Sequence, residues 1–272
     1  MNKIGIRGHD IGKMSAHELA DQIKSYGFDG VQLVFKKALS VTIDFSNMDT
    51  VSGAFSQIDI PLLGAYFNPM NPNTNELKDD ISYFKNHLKI AKSIHASFVG
   101  SETGYIAKGS KMTLDELHSE QSLRVVTNIF KDLVETAEKY DSYVAIEGAF
   151  LHVAHDPYRI KSMVDQINSP RLKVIIDLYN FLHIDNYKDR EKIFQKALDL
   201  LKDDIVIFHL KDFIVEDHKL KQVGLGQGLM NFESMISIIK QTNPDAYLIF
   251  EGVTGQDIES SFNLIKNLLE RA

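Results

Sequence analysis

One device recurs through the C-terminal half of the chain and limits the folds open to it: a short apolar run closed by a side chain able to bind metal. It occurs in Tyr143-Val144-Ala145-Ile146-Glu147 and Lys173-Val174-Ile175-Ile176-Asp177. It returns in Ile205-Val206-Ile207-Phe208-His209 and Tyr247-Leu248-Ile249-Phe250-Glu251. Runs this short, rich in β-branched residues and apolar on both faces, fit parallel strands buried on both sides. Each run then carries its one costly polar group at its C-terminal end, and parallel strands bring those ends to the same edge of one sheet.

The N-terminal half supplies the remaining units. Strands are expected at residues 3–6, 30–34, 61–66 and 96–100. Ser15-Ala16-His17-Glu18 has capping-box spacing, and Leu19, Ile23 and Tyr26 follow at helical intervals up to Gly27. Helices are also expected around residues 48–57 and along the face Leu77, Ile81, Phe84, Leu88 and Ala91. A second capping box, Thr113-Leu114-Asp115-Glu116, predicts one helix running to about Tyr140, and Asp156-Pro157 starts another. Further stripes follow strands six, seven and eight. Eight βα units in about 250 residues, without a linker, give a (β/α)8 TIM barrel spanning 1–272 as a single domain. A doubly wound open sheet is the structural alternative; the helix after strand eight favours closure.

Composition narrows the chemistry. The chain has no cysteine, so any metal must be held by oxygen and imidazole nitrogen, which suits Mn, Mg, Co or Zn. A net charge of −7 argues against broad nucleic-acid or anionic-membrane binding. No apolar run approaches the roughly 20 residues needed to cross a bilayer, and residues 1–10 lack the apolar core of a signal peptide. A cytoplasmic enzyme is the expectation, and a homo-oligomer is compatible with it.

Glu147, Asp177, His209 and Glu251 close four consecutive strands. An acid after a strand often caps the next helix, but glutamate is a poor cap compared with aspartate or serine. Three carboxylates meeting at a barrel mouth repel one another unless a cation compensates. The four residues are therefore expected to bind one divalent metal, with positions left for substrate oxygens. Around them, His9 after strand one, Tyr66 and Asn68 after strand three, Glu102 after strand four and His155 after strand five are candidate substrate contacts. Asn180, three residues past Asp177, and Lys211, the nearest cation, complete that set. The alternative for Lys211 is an exposed lysine paired with Asp212 in a charged surface excursion, residues 211–221. His17, His87, His95, His118 and His218 are expected in solvent. The run Gly224-Leu225-Gly226-Gln227-Gly228 does not match the dinucleotide fingerprint and is expected to be a flexible loop.

Several pieces in this order resemble the xylose-isomerase-like sugar phosphate isomerase/epimerase superfamily along essentially the whole chain. They are Ala145-Ile146-Glu147-Gly148, Ile176-Asp177-Leu178-Tyr179-Asn180, Phe208-His209-Leu210-Lys211-Asp212, the glycine run ahead of Asn231-Phe232, and Ile249-Phe250-Glu251-Gly252. The resemblance implies that the four strand-end residues bind one metal. It also implies that Glu147 and Glu251 move a proton next to a carbonyl through an enediolate of a small sugar or polyol. Asn180 stands where the superfamily often has a substrate-binding histidine. Val153 stands where the ketose 3-epimerase branch carries a second glutamate. The same site could serve a dehydratase of an inositol-type ketone. An AP-endonuclease-like hydrolase would need a larger metal set and a basic face, and a non-catalytic sugar-binding module would need no turnover.

Overall fold

The computed structural model describes residues 2–271; Met1 and Ala272, the ends of the expected domain, lie outside them. The strands are β1 (Ile4–Arg7), β2 (Gly30–Leu33), β3 (Asp59–Gly64), β4 (Ala96–Glu102), β5 (Val144–Glu147), β6 (Leu172–Asp177), β7 (Ile205–Leu210), β8 (Asp212–Glu216), β9 (Lys219–Val223) and β10 (Tyr247–Phe250). Eight of them form a closed parallel barrel in the order β1-β10-β7-β6-β5-β4-β3-β2, while β8 and β9 pair as a separate antiparallel hairpin. Closure sets Gly5 beside Ile249 and Ile6 beside Phe250, residues from opposite ends of the chain.

The helices are α1 (Gly8–Ile11), α2 (Ala16–Tyr26), α3 (Phe35–Ala38), α4 (Asp49–Ala54), α5 (Thr74–Ile90), α6 (Leu114–Leu117), α7 (Glu120–Tyr140), α8 (Pro157–Ile167), α9 (Arg190–Leu201), α10 (Phe232–Thr242) and α11 (Asp257–Arg271). The expected capping box at Ser15 forms, with its hydroxyl accepting from the Glu18 N–H, and Gly27 ends α2 at φ 88°. That left-handed conformation is one that glycine adopts without a Cβ clash. The single helix expected from Thr113 to Tyr140 is two helices. Thr113 caps the short α6, and Ser119 then accepts from the Ser122 N–H to start α7 afresh.

Two apolar layers hold the barrel. Inside it, Leu62, Ala145, Ile175, Ile207 and Ile249 make a compact plug, and the outer faces of the strands pack against the helices. This explains why the C-terminal runs are apolar on both faces. The plug also makes the barrel a packed core rather than a pore, so chemistry is confined to the ends of the strands.

His87 departs from expectation. It is fully buried among Phe35, Phe45 and Tyr83, with Nδ1 2.8 Å from the Tyr83 carbonyl oxygen. The loop bearing Phe45 covers the face of α5 that sequence spacing leaves in water. His118 is half-buried and stacks on His155 with ring centroids 3.8 Å apart.

Candidate metal centre

Strand register places the four expected ligands side by side. Asp177 and His209 are direct neighbours across β6 and β7, and Glu147 lies beside Glu102 across β5 and β4. Glu251 follows β10, where its backbone N–H reaches the Leu210 carbonyl. One donor atom from each of Glu147, Asp177, His209 and Glu251 lies within 4.8 Å of all the others. Glu147, Asp177 and His209 are buried, at 2%, 0% and 3% exposure.

Cationic groups hold these carboxylates together. His209 Nδ1 sits 3.2 Å from Glu147 Oε1 and 2.9 Å from Glu251 Oε2. The Lys211 ammonium is 2.9 Å from Asp177 Oδ2 and 2.8 Å from Glu251 Oε1, and it donates to Asn180 Oδ1 at 3.1 Å. Asn180 in turn donates through Nδ2 to Glu147 Oε1 at 2.8 Å. Lys211 is therefore no surface lysine paired with Asp212. It is 8% exposed and faces the cluster, because the hairpin it precedes is buried at its base through Asp212 and Phe213.

The residues fit a divalent ion. They are hard oxygen and imidazole donors, converging at a spacing that one ion can bridge. Asp177 Oδ2 is also buried without a well-formed hydrogen bond, its neighbour being the Lys211 ammonium. A buried carboxylate oxygen left in that state gains most from a cation.

The field of the cluster shifts its members in different directions. Burial would push His209 down, but Glu147 and Glu251 outweigh it and raise the imidazole to about 10. Burial likewise opposes the ionisation of Glu251, yet Lys211, His209 and Arg7 together hold its carboxyl well below the usual range. Burial and the charges of Glu147 and Glu251 raise Glu102 to about 7. A metal ligand must be neutral imidazole, so a metal entering near neutral pH has to displace the His209 proton. Divalent-metal affinity is therefore expected to rise by about tenfold per pH unit through the neutral range. Titration calorimetry in buffers of different ionisation enthalpy should register about one proton released per metal bound; a pH-independent affinity would contradict this.

The other expected site residues divide. His9, Tyr66 and Glu102 line a cavity of about 290 Å³ beside Glu147 and Glu251. Burial, with Arg7 and Lys37 nearby, lowers His9 to about 4 and keeps it neutral. Asn180 and Lys211 line a second cavity of about 500 Å³ with Glu102 and Glu251. Two residues lie elsewhere. Asn68 is occupied as a loop clamp, accepting from the Met70 and Tyr105 N–H groups and donating to the Tyr105 carbonyl. His155 stacks on His118 and lines a depression shared with Pro157 and Tyr158. Its position after β5 was right, but the loop turns it outward.

Sequence reasoning passed over Arg7, Gln32 and Lys37, which line the first cavity. Arg7 grips Asp10 through Nε and Nη2 and donates through Nη1 to Glu251 Oε1 at 2.7 Å; Asp10 also accepts from the Gly252 N–H. Arg7 and Gln32 were within reach of the rule that found the ligands. Each is a polar side chain at or near the end of an apolar strand.

The glycine run is not the flexible loop expected. The buried Asp212 carboxylate accepts from the N–H groups of Gly226 and Gly228 through Oδ2 and of Met230 through Oδ1.

The described xylose isomerase-like TIM barrel family matches residues 20–268. The chain belongs to this family. Solved structures agree with the xylose isomerase-like barrel over nearly its full length. A D-tagatose 3-epimerase-like protein superposes with a TM-score of 0.78 at 18% identity, covering 98% of this chain and 97% of that one. The 3-keto-D-glucoside 4-epimerase YcjR from E. coli gives 0.75 at 15% identity, with 100% of both chains covered. The IOLI protein with a binding zinc atom gives 0.74 at 15% identity, covering 98% and 96%. At such identities the likeness establishes the fold. No curated protein sequence matches the chain. Among the described residues, no helix is long and apolar enough to cross a membrane.

Proposed function

We propose that this xylose isomerase-like barrel is a divalent-metal-dependent isomerase or epimerase of a small sugar or keto-polyol. The observation that carries the reading is the convergence of Glu147, Asp177, His209 and Glu251 within 4.8 Å at the C-terminal mouth of the barrel. Structural relatives named as a 3-keto-D-glucoside 4-epimerase and a D-tagatose 3-epimerase-like protein, and one solved with zinc, support it.

Glu147, Asp177, His209 and Glu251 would hold the metal, with Mn, Mg, Co and Zn all compatible with their donors. A bound divalent ion would supply Lewis acidity, polarising a carbonyl and offsetting the negative charge that develops as a neighbouring C–H is lost. The protein supplies the proton traffic. A carboxylate removes the proton from the carbon beside the carbonyl while the electron pair moves toward the carbonyl oxygen. In an isomerase a proton returns to the former carbonyl carbon while the neighbouring hydroxyl's proton passes to the former carbonyl oxygen. In an epimerase a protonated carboxyl on the opposite side supplies a proton to the other face of the same carbon.

Glu147 and Glu251 are the proposed carriers, and their surroundings are unequal. Glu251 accepts from Arg7, Lys211 and His209, all of which draw down its affinity for a proton. Glu147 contacts the neutral Asn180 amide and shares His209. Glu147 is therefore the better first acceptor. Before a metal enters, Glu102 is raised to about 7, chiefly by burial, and a proton kept there can be donated in a hydrogen bond to a substrate oxygen. His9, Tyr66, Asn180 and Lys211 would position hydroxyl groups from the two sides.

The same half-protonated Glu102 supports a second reading, a dehydratase of an inositol-type ketone, in which it would protonate a departing hydroxyl. One experiment addresses both. Metal content is measured by elemental analysis, and the loaded protein is then incubated in D2O with ketoses, ketose phosphates and inositol-derived ketones. Deuterium entering the carbon beside the carbonyl without loss of water fits the isomerase or epimerase. Deuterium accompanied by water loss fits the dehydratase. A protein that takes up no divalent metal sinks both.

A further inference from the structure

The barrel mouth has two halves of different chemistry. The half of about 290 Å³ presents Arg7, Gln32, Lys37 and Tyr66. The half of about 500 Å³ adds the apolar faces of Phe150, Leu151, Tyr179, Leu182, Ile184 and Leu220 to a lining that also includes His152, His183, His218 and Lys219. Glu102 and Glu251 line both, so a molecule whose reacting carbons lie over the cluster extends naturally into each.

Three observations give the larger half a purpose. Leu151 is 61% exposed, and Ile184 and Leu220 are partly exposed, so apolar surface faces an open cavity beside a charged cluster. Such surface recovers free energy when a ligand covers it. Its aromatic faces are already fixed. Phe150 stacks on His183 with centroids 4.1 Å apart, and Tyr179 packs against Phe213 while the Lys211 ammonium lies 5.7 Å from its ring. A preordered wall costs little further entropy on binding. The last wall, Leu220, comes from β9, which lies outside the barrel. The hairpin bearing it is latched to the site, because Gln222 Nε2 donates to the Glu251 carbonyl. The chain thus holds Leu220 of β9 at the cavity that Glu251 lines, without needing the strand to close the barrel.

We propose that the substrate is a sugar carrying an apolar or aromatic substituent, seated between the Phe150-Leu151 loop and β9 while the sugar lies over the ligand cluster. This rests on the metal-dependent reading for the placement of the sugar. A bare sugar, polar around its rim, would leave these faces wet.

The test uses full-length, metal-loaded protein and titration calorimetry with methyl and phenyl β-D-glucopyranoside. The phenyl compound is expected to bind at least about tenfold more tightly, through burial of its ring. Leu151→Asp, at an exposed position, should bring the two affinities within about twofold of one another with metal content and unfolding temperature unchanged, and Leu220→Asp, on the partly buried face of β9, should do the same with metal content unchanged. Equal binding in the wild type, no binding of either glycoside at millimolar concentration, or a preference that survives both substitutions overturns the proposal. So does sedimentation showing a dimer that Leu151→Asp dissociates, because the apolar half would then be a contact between copies of the chain. Full metal occupancy without a phenyl preference sinks this inference alone. Absence of metal removes the functional reading beneath it.

Discussion

Asp177→Asn is expected to weaken divalent-metal binding by at least about 100-fold and to lower turnover by about 10³-fold, while leaving the metal-free protein no less stable than wild type. The two effects have separate causes. Asp177 is fully buried, and its Oδ2, like His209 Nε2, has no well-formed hydrogen bond in the protein, so losing its charge removes an anchor of the proposed ion. In the metal-free protein the same charge is a burden. Burial raises the Asp177 carboxyl to about 6, against the opposing pull of Lys211. An acid whose folded pKa lies above its unfolded value of 3.8 favours folding most when protonated; that contribution is lost as pH rises from about 4 through about 6. Asparagine never ionises, so above pH 6 the variant escapes the penalty. Lys211 keeps Glu251 as its partner. Thermal unfolding at pH 8 with and without metal separates the effects: the variant should unfold no lower than metal-free wild type and lose the metal-induced rise. Full metal occupancy, or a fall of several degrees without metal, would contradict this account.

The second large effect concerns a residue whose carboxylate binds backbone N–H groups. Asp212→Ala is expected to destabilise the fold by about 3 to 5 kcal/mol. Its buried carboxylate accepts from the N–H groups of Phe213, Gly226, Gly228 and Met230, and alanine leaves these donors without that acceptor. Each buried unsatisfied donor costs on the order of 1–3 kcal/mol, reduced where the loop can relax toward water. Gly228 is the complementary probe, because a Cβ there would lie 2.3 Å from both Asp212 Oδ1 and the Phe213 carbonyl oxygen. Gly228→Ala should therefore loosen the same loop while leaving the carboxylate in place. Urea unfolding measures the loss for both variants, and limited proteolysis should place new cleavage within residues 224–230. A change below about 1 kcal/mol in Asp212→Ala would show that water replaces the carboxylate.

Both cases show where sequence reading succeeds and where it stops. Glu147, Asp177, His209 and Glu251 were visible because each breaks an apolar run at its C-terminal end. In a parallel barrel that position leads to one rim. The capping boxes at Ser15 and Thr113 were equally local and formed as read. Gly226 and Gly228 looked flexible because their partner is a carboxylate more than a dozen residues upstream. Lys211 was balanced between mouth and surface because burial of the hairpin base is decided by packing of Phe213 against Tyr179 and Tyr187. His155 and Asn68 were placed correctly along the chain, but loop paths aim their side chains at other partners.

The alternating pattern of apolar runs and amphipathic helices thus determined a (β/α)8 barrel and named the residues at its chemical end. It could do so because strand burial and helix faces are periodic along the sequence. Tertiary structure alone decided how those residues are charged and what surrounds them. Barrel closure brings Arg7 to Glu251 across 244 positions, and the β8–β9 hairpin lays Leu220 across the mouth from Leu151. Electrostatic fields and cavity walls depend on distance through space, and no periodicity in the chain encodes that distance.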